Sequence, residues 1–248
     1  LEANVSEPTV NRFCRSMDTR GFPDFKLHLA QSLANGTPYV NRNVNEDDSV
    51  ESYTGKIFES AMATLDHVRH SLDKSAINRA VDLLTQAKKI AFFGLGSSAA
   101  VAHDAMNKFF RFNVPVVYSD DIVLQRMSCM NCSDGDVVVL ISHTGRTKNL
   151  VELAQLAREN DAMGIALTSA GTPLAREATL AITLDVPEDT DIYMPMVSRL
   201  AQLTVIDVLA TGFTLRRGTK FRDNLKRVKE ALKESRFDKQ LLNLSDDR

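Results

Sequence analysis

The chain has 248 residues, 44% of them hydrophobic and 25% charged, with a formal net charge of −2 and an isoelectric point near 6.2. These proportions exclude a disordered or collagen-like chain and a surface uniformly basic enough to coat nucleic acid. No apolar run approaches the roughly 18 residues of a membrane span, the N-terminal LEANVSEPTV lacks the basic and apolar regions of a secretion signal, and three cysteines are too few for a disulfide scaffold, so a soluble, cytoplasmic chain without a membrane partner is expected.

The first 33 residues read as two short helices, S-E-P-T-V-N-R-F-C-R-S and P-D-F-K-L-H-L-A-Q-S-L, separated by Arg20-Gly21-Phe22-Pro23. Ser6 is a natural N-cap, with Glu7 and Pro8 in the first turn, and Val10, Phe13, Cys14 and Met17 recur at helical spacing. Residues 34–50 are polar and aperiodic, with Gly36 and Pro38, and read as a linker. Amphipathic helices are predicted over about 53–72 and 75–87, the second capped by Ser75.

From Lys88 the pattern alternates between short apolar runs at 89–94, 114–118, 136–142, 162–168 and 178–184 and helical stretches at about 97–112, 121–131, 147–160 and 172–177. A longer apolar helix covers about 194–215. Continuous apolar runs alternating with helices imply a parallel sheet covered on both faces, with right-handed crossovers. Ligands of such sheets lie beyond the C-terminal ends of the strands.

Two loops occupy such ends. Gly94-Leu95-Gly96-Ser97-Ser98 follows the first strand and opens a helix, where glycines admit close backbone approach and the helix N-terminus favours an anion. A dinucleotide fingerprint would need a third small residue at position 99, where Ala99 stands, and an acid after the next strand, where Asp120 and Asp121 are found. Ser142-His143-Thr144-Gly145-Arg146-Thr147 leaves the third strand in the same manner. Capping by Thr147 accounts for one hydroxyl. Three within six residues, beside the Ser97–Ser98 pair, suit a phosphate monoester.

These two loops resemble the sugar isomerase (SIS) domain, a phosphosugar-binding α/β fold, and V-S-E-P-T-V-N-R-F-C-R resembles the recognition helix of RpiR-type helix-turn-helix regulators. S-R-L-A-Q-L-T-V-I-D-V-L at 198–209 is more similar to the SIS domains of the regulators than to those of the isomerases. The resemblance implies a three-layer α/β/α sandwich with a five-stranded parallel sheet over 53–248, a linker over 36–52, and a partial, all-helical helix-turn-helix region over 1–35 with its recognition helix at about 7–17. RpiR-type domains carry further helices ahead of the recognition helix, so DNA binding by this stretch alone is expected to be impaired.

The same resemblance implies a repressor of glucose-catabolism genes in the Entner–Doudoroff branch of hexose metabolism. Its effector would be 2-keto-3-deoxy-6-phosphogluconate, its further partners an operator duplex and copies of itself in a homodimer or homotetramer, with no cofactor, metal or catalytic residue. Effector binding falls to Gly96, Ser97, Ser98, Ser142, His143, Thr144, Gly145, Arg146 and Thr147, with Ser98 and Ser142 as the sensing serines; Arg146 is the nearby cation, open to the ligand carboxylate, a partner subunit or plain solvation. DNA contacts fall to Ser6, Thr9, Asn11, Arg12 and Arg15. Charge adds no support there, because acids and bases balance over 1–33.

The remaining features read more plainly. Ten Lys/Arg against four acids over 216–239 could assist DNA binding, but Phe221, Leu225, Val228 and Leu232 mark a packed amphipathic helix. Cys129-Met130-Asn131-Cys132 lacks the second ligand pair of a zinc site, and His67 with His70 reads as a polar helix face. An aldose–ketose isomerase, the alternative function, would need a general base from Glu188, Asp189, Asp191, His103 or His143.

Overall fold

The computed structural model describes residues 7–17, 19–26 and 43–233. Ser6 and most of the second expected N-terminal helix lie outside them, although residues 22–26 are helical. By internal contacts the chain divides into two compact units, 1–63 with 188–195, and 64–187 with 196–248.

In the first unit, helix α1 (Glu7–Ser16) buries Cys14 alone. Phe13 and Met17, expected on its apolar face, are exposed, with Phe13 edge-on to Phe25 at 5.9 Å. Helix α2 (Val50–Ser71), of which residues 50–63 belong to this unit, begins three residues earlier than its hydrophobic periodicity suggests, because the preceding turn caps it. The Ser52 N–H donates to Ser49 Oγ, while Asp48 accepts from the Asn45 N–H, the Ser52 hydroxyl and the Lys56 ammonium. These donors, Lys56 foremost, hold the Asp48 carboxyl down at about 2.

The second unit is the α/β sandwich. Helix α3 (Lys74–Gln86) is capped by Asp73, whose carboxylate accepts from the Ser75 N–H at 2.8 Å, so the cap is not Ser75 but the acid two residues ahead. The remaining elements are β1 (Lys89–Gly94), α4 (Ser97–Phe109) with a 3-10 turn (Phe110–Phe112), β2 (Val116–Tyr118), α5 (Ile122–Met130), β3 (Asp136–Ile141), α6 (Lys148–Glu159), β4 (Met163–Thr168), α7 (Pro173–Glu177), β5 (Leu180–Thr183) and α8 (Val197–Ala231). All five strands are parallel, in the order β2-β1-β3-β4-β5.

Alternate strand residues feed opposite layers, as the two-residue pleat demands. Ile90, Phe92, Val137, Val139 and Ile165 pack against α3, α4 and α8, whereas Ala91, Phe93, Val138, Leu140 and Ala166 pack against α5, α6 and α7. Strand β2 is shorter than its apolar run, because Asn113 takes a left-handed turn (φ 51°) and the chain enters the sheet only after Pro115.

Helix α8 continues to Ala231, past the expected end near 215, with one break at Gly218 (φ 75°, ψ −163°). Beyond the break Phe221 and Leu225 return to the core, in keeping with a packed amphipathic stretch. Phe213 is fully buried between Phe109, Phe112 and Phe221, ring centroids 5.0–5.8 Å away. No helix among the described residues is long and apolar enough to cross a membrane.

Two predictions follow from these contacts. Phe213→Ala removes the centre of the aromatic cluster and should cost about 3–5 kcal/mol in denaturant unfolding, and a loss below about 1 kcal/mol would contradict this packing. Asp48, ordinarily near 3.8, stabilises the fold above that value and loses its contribution as pH falls toward 2. NMR titration should find its midpoint at the depressed value, and Lys56→Met should move the midpoint back up.

Candidate functional site

The sheet grows in opposite directions from its middle: the chain steps from β1 outward to β2, then crosses back to β3 and on to β4 and β5. The connections leaving β1 and β3 therefore diverge to opposite faces, which opens a crevice at their C-terminal ends. Gly94 pairs with Ile141 in the β1–β3 ladder, so the two hydroxyl-rich loops leave the sheet side by side.

The first loop is shaped by its glycines. A Cβ on Gly94 would lie 2.5 Å from the Ser98 carbonyl oxygen, so the absence of a side chain lets the first turn of α4 sit directly on the strand end. Gly96 is the N-cap, at φ 58° and ψ −129°, a conformation that L side chains rarely adopt. The Ser98 and Ala99 N–H groups bond back to Leu95 O and Gly96 O at 3.2 and 3.1 Å. Ser98 is 8% exposed and Ser97 half-buried. Neither hydroxyl meets a hydrogen-bond partner among the described residues.

The second loop is held from below. The Ser142 N–H donates to Leu167 O at 3.1 Å, and Ser142 Oγ accepts from the Gly145 N–H at 3.1 Å, leaving its own proton to give. His143 O receives both the N–H and the hydroxyl of Ser169, and Gly145 O receives the Leu174 N–H. Gly145 is at φ 57°, and a Cβ there would fall 2.2 Å from Thr172 Oγ1 and 2.5 Å from Thr168 Oγ1. Thr168 and Thr172, which hydrogen-bond to one another at 3.4 Å, thus form the floor beneath the loop, and sequence reasoning missed both. Their only signal was the N-cap pattern of Thr172 before Pro173.

Thr147 stands at the N-cap of α6, yet its hydroxyl does not accept from the helix as expected. Thr144 Oγ1 accepts weakly from the Arg146 N–H at 3.4 Å, and the Arg146 side chain is exposed. The structure thus gathers Gly96, Ser97, Ser98, Ser142, His143, Thr144, Gly145, Arg146 and Thr147 on two adjacent loops. Two helix N-termini, α4 and α6, open from them, each presenting main-chain N–H groups and the positive end of its dipole. Helix N-termini so arranged are chemically suited to an anion of phosphate size.

The other candidates have structural occupations. Asp121 caps α5, accepting from the Leu124 N–H at 2.9 Å, which removes it as the acid of a dinucleotide site. Cys129 is fully buried and its thiol is pushed up to about 12, mainly by burial and then by the neighbouring Cys132. Cys132 donates to Ser128 O. Among the described residues no group of three or more His, Cys, Asp or Glu side chains could hold a metal ion. His70 Nδ1 lies 2.8 Å from Asp66 O, and the His103 ring packs tilted against Tyr118, centroids 5.0 Å apart. Asp189 accepts from the Asp191 N–H within its own turn.

On α1, Thr9, Arg12 and Arg15 are exposed, as a groove-facing surface requires. Asn11 Oδ1 instead accepts from the Phe22 N–H at 3.2 Å, fastening the turn into the next helical segment, so its carbonyl serves the fold.

Residues 83–212 match the SIS domain, and residues 1–36 match the helix-turn-helix domain of the rpiR family. The chain is 99% identical to the HTH-type transcriptional regulator HexR of Escherichia coli (strain K12), covering 100% of this chain and 86% of that protein. It is 57% identical to the HTH-type transcriptional regulator HexR of Pseudomonas aeruginosa, over 95% of this chain and 82% of that one. Among solved structures, the Vibrio vulnificus NanR protein complexed with ManNAc-6P superposes with a TM-score of 0.69 at 24% identity, covering 94% of this chain and 83% of that one, a likeness of fold.

The floor beneath the second loop makes a testable difference between two glycines. Gly145→Ala adds a clash of about 1–3 kcal/mol to the backbone strain of positive φ, whereas Gly96→Ala meets open space and bears the strain alone. Denaturant unfolding should therefore show the larger loss for Gly145→Ala, and the reverse order would mean that Thr168 and Thr172 yield.

Proposed function

The chain belongs to the rpiR family of helix-turn-helix transcription regulators that carry a SIS domain, and from that premise we propose that it represses genes of hexose catabolism until its SIS domain binds 2-keto-3-deoxy-6-phosphogluconate. Its class is that of a DNA-binding regulator of hexose metabolism and not of an enzyme, as with the relatives named above.

The observation that carries the effector reading is the side-by-side emergence of two hydroxyl-rich helix N-termini at the β1–β3 crevice. Ser97, Ser98, Ser142, Thr144 and Thr147 would donate to the phosphate together with those N–H groups at the starts of α4 and α6 that are not bonded within the loops. Gly96 and Gly145 give those N–H groups their approach. His143 would meet the sugar hydroxyls, and Arg146, on the same loop, would meet the carboxylate that distinguishes a phosphosugar acid from a hexose phosphate. That the NanR protein of similar fold was solved with a phosphosugar, ManNAc-6P, supports a ligand of this class.

At the other end of the function, Thr9, Arg12 and Arg15 on α1, with Ser6 and the Asn11 amide, would face the operator duplex. Effector binding changes DNA affinity only as far as the effector prefers one arrangement of the protein over another. In a homodimer or homotetramer, acting in the cytoplasm where its operator lies, two-fold symmetry would set half-sites about one DNA turn apart.

Thermal unfolding with added ligand tests the effector. At one hundred times its dissociation constant, 2-keto-3-deoxy-6-phosphogluconate should stabilise the protein by about 2.7 kcal/mol, with weaker responses to fructose 6-phosphate and glucosamine 6-phosphate. Ser98→Ala and Ser142→Ala should abolish the response, and labelled operator DNA should be released on addition of the effector. Selective stabilisation by a hexose phosphate would replace the effector, and tighter operator binding in its presence would overturn the repressor reading.

A further inference from the structure

One buried polar side chain beside the cradle has no role in the fold's hydrophobic packing. Gln125, in the middle of α5, is 0% exposed. Its Nε2 donates to Ser119 O at 2.7 Å and to Gly94 O at 3.4 Å, while its Oε1 is buried with no partner among the described residues.

The strand ladder explains why those two carbonyls need a donor. Ile90 donates to Pro115 O, so the even-numbered residues of β1 turn their peptide groups toward β2. The β1–β2 pairing stops at Phe92 and Tyr118, two residues short of the end of β1. Gly94 would be the next residue to face that edge, and there is no further rung to meet it. The Gln125 carboxamide stands in the gap, spending one N–H on each side of it. Gly94 is also the residue on which the first turn of α4 rests, its Cα so close beneath Ser98 that a Cβ would overlap the Ser98 carbonyl. Fixing Gly94 therefore fixes Ser98 and the N–H groups that follow.

We propose that Gln125 is a positioning residue for the phosphate cradle: by tying Gly94 O to Ser119 O across the gap where β1 and β2 separate, it holds the Gly94–Ser98 loop in its anion-binding geometry before the ligand arrives. The role rests on the effector reading given above. It accounts for a buried amide kept at this position although one of its own polar atoms goes unmet, a cost that an apolar residue of the same size would avoid.

Gln125→Met keeps the length and most of the volume of the side chain and removes both donors. Amide hydrogen exchange of the unliganded protein should show the Ser98 and Ala99 N–H groups, each hydrogen-bonded within the loop, exchanging about tenfold faster. The N–H groups of Val138, Val139 and Leu140 in the buried strand β3 should be unchanged. The dissociation constant for 2-keto-3-deoxy-6-phosphogluconate should rise about tenfold, the scale of one lost positioning hydrogen bond. Unchanged exchange at Ser98 and Ala99 would overturn the proposal, as would acceleration in β3 by the same factor, which marks a general loss of stability. If the unaltered protein binds no phosphosugar, the effector reading falls, and the exchange comparison alone decides the role of Gln125.

Discussion

Lys89 and Asp136 face each other on the first rung of the β1–β3 ladder, with Lys89 Nζ 2.9 Å from Asp136 Oδ2 and the carboxylate almost wholly buried. Strands buried on both faces carry no polar alternation to fix their pairing, and the runs Ile90–Phe93 and Val137–Ile141 are apolar at every position. A slip of one residue would set Asp136 beside the buried Ile90 and leave a charge unpaired in the sheet, which is among the most expensive errors a core can make. Ser133 adds its N–H to the same carboxylate oxygen from the turn that opens β3, so the link across to β1 is carried by Lys89. The alignment set at this end places Gly94 against Ile141 at the other, and the two hydroxyl-rich loops come level because of it.

The sandwich then divides its work by layer. The face built from α3, α4 and α8 holds the aromatic cluster of Phe109, Phe112, Phe213 and Phe221, along with the ion pairs of Lys108 to Asp104 and Asp207. The opposite face is lined by small and aliphatic side chains from α5, α6 and α7, and gives the cradle its bracing through Thr168, Thr172 and Gln125. Both loops of the cradle therefore rest on neighbouring strand ends and not on solvent.

The sheet and the two loops were legible in the sequence because their signals are local. Continuous apolar runs bounded by glycine or proline mark buried strands, and Gly94, Gly96 and Gly145 among clustered hydroxyls mark loops where the backbone is tightly turned or closely approached. What escaped the sequence depends on tertiary neighbours. Asp73 and Ser75 are both good caps two residues apart, and only the turn of the chain chooses the acid. The helical stretch after 215 was legible from Phe221 and Leu225, but not that it continues the helix before it with a single break at Gly218. Gln125 is one polar residue in a nine-residue helix, and its meaning appears only when the end of β2 falls short of the end of β1.

The break at Gly218 has a mechanical consequence. An unbroken α-helix transmits torque along its axis through its chain of hydrogen bonds, and at Gly218 the backbone leaves helical geometry in open space, without a neighbour to crowd it. Stiffness across this point is carried instead by a side chain: the Arg217 guanidinium lies over the rings of both Phe213 and Phe221, one on either side of the bend, at 5.1 and 5.9 Å. The two parts of α8 are thus joined at the break by side-chain stacking in place of main-chain hydrogen bonds. Phe221 and Leu225 seat the part after the break on the same core, so the helix is interrupted without losing its hold on the sheet.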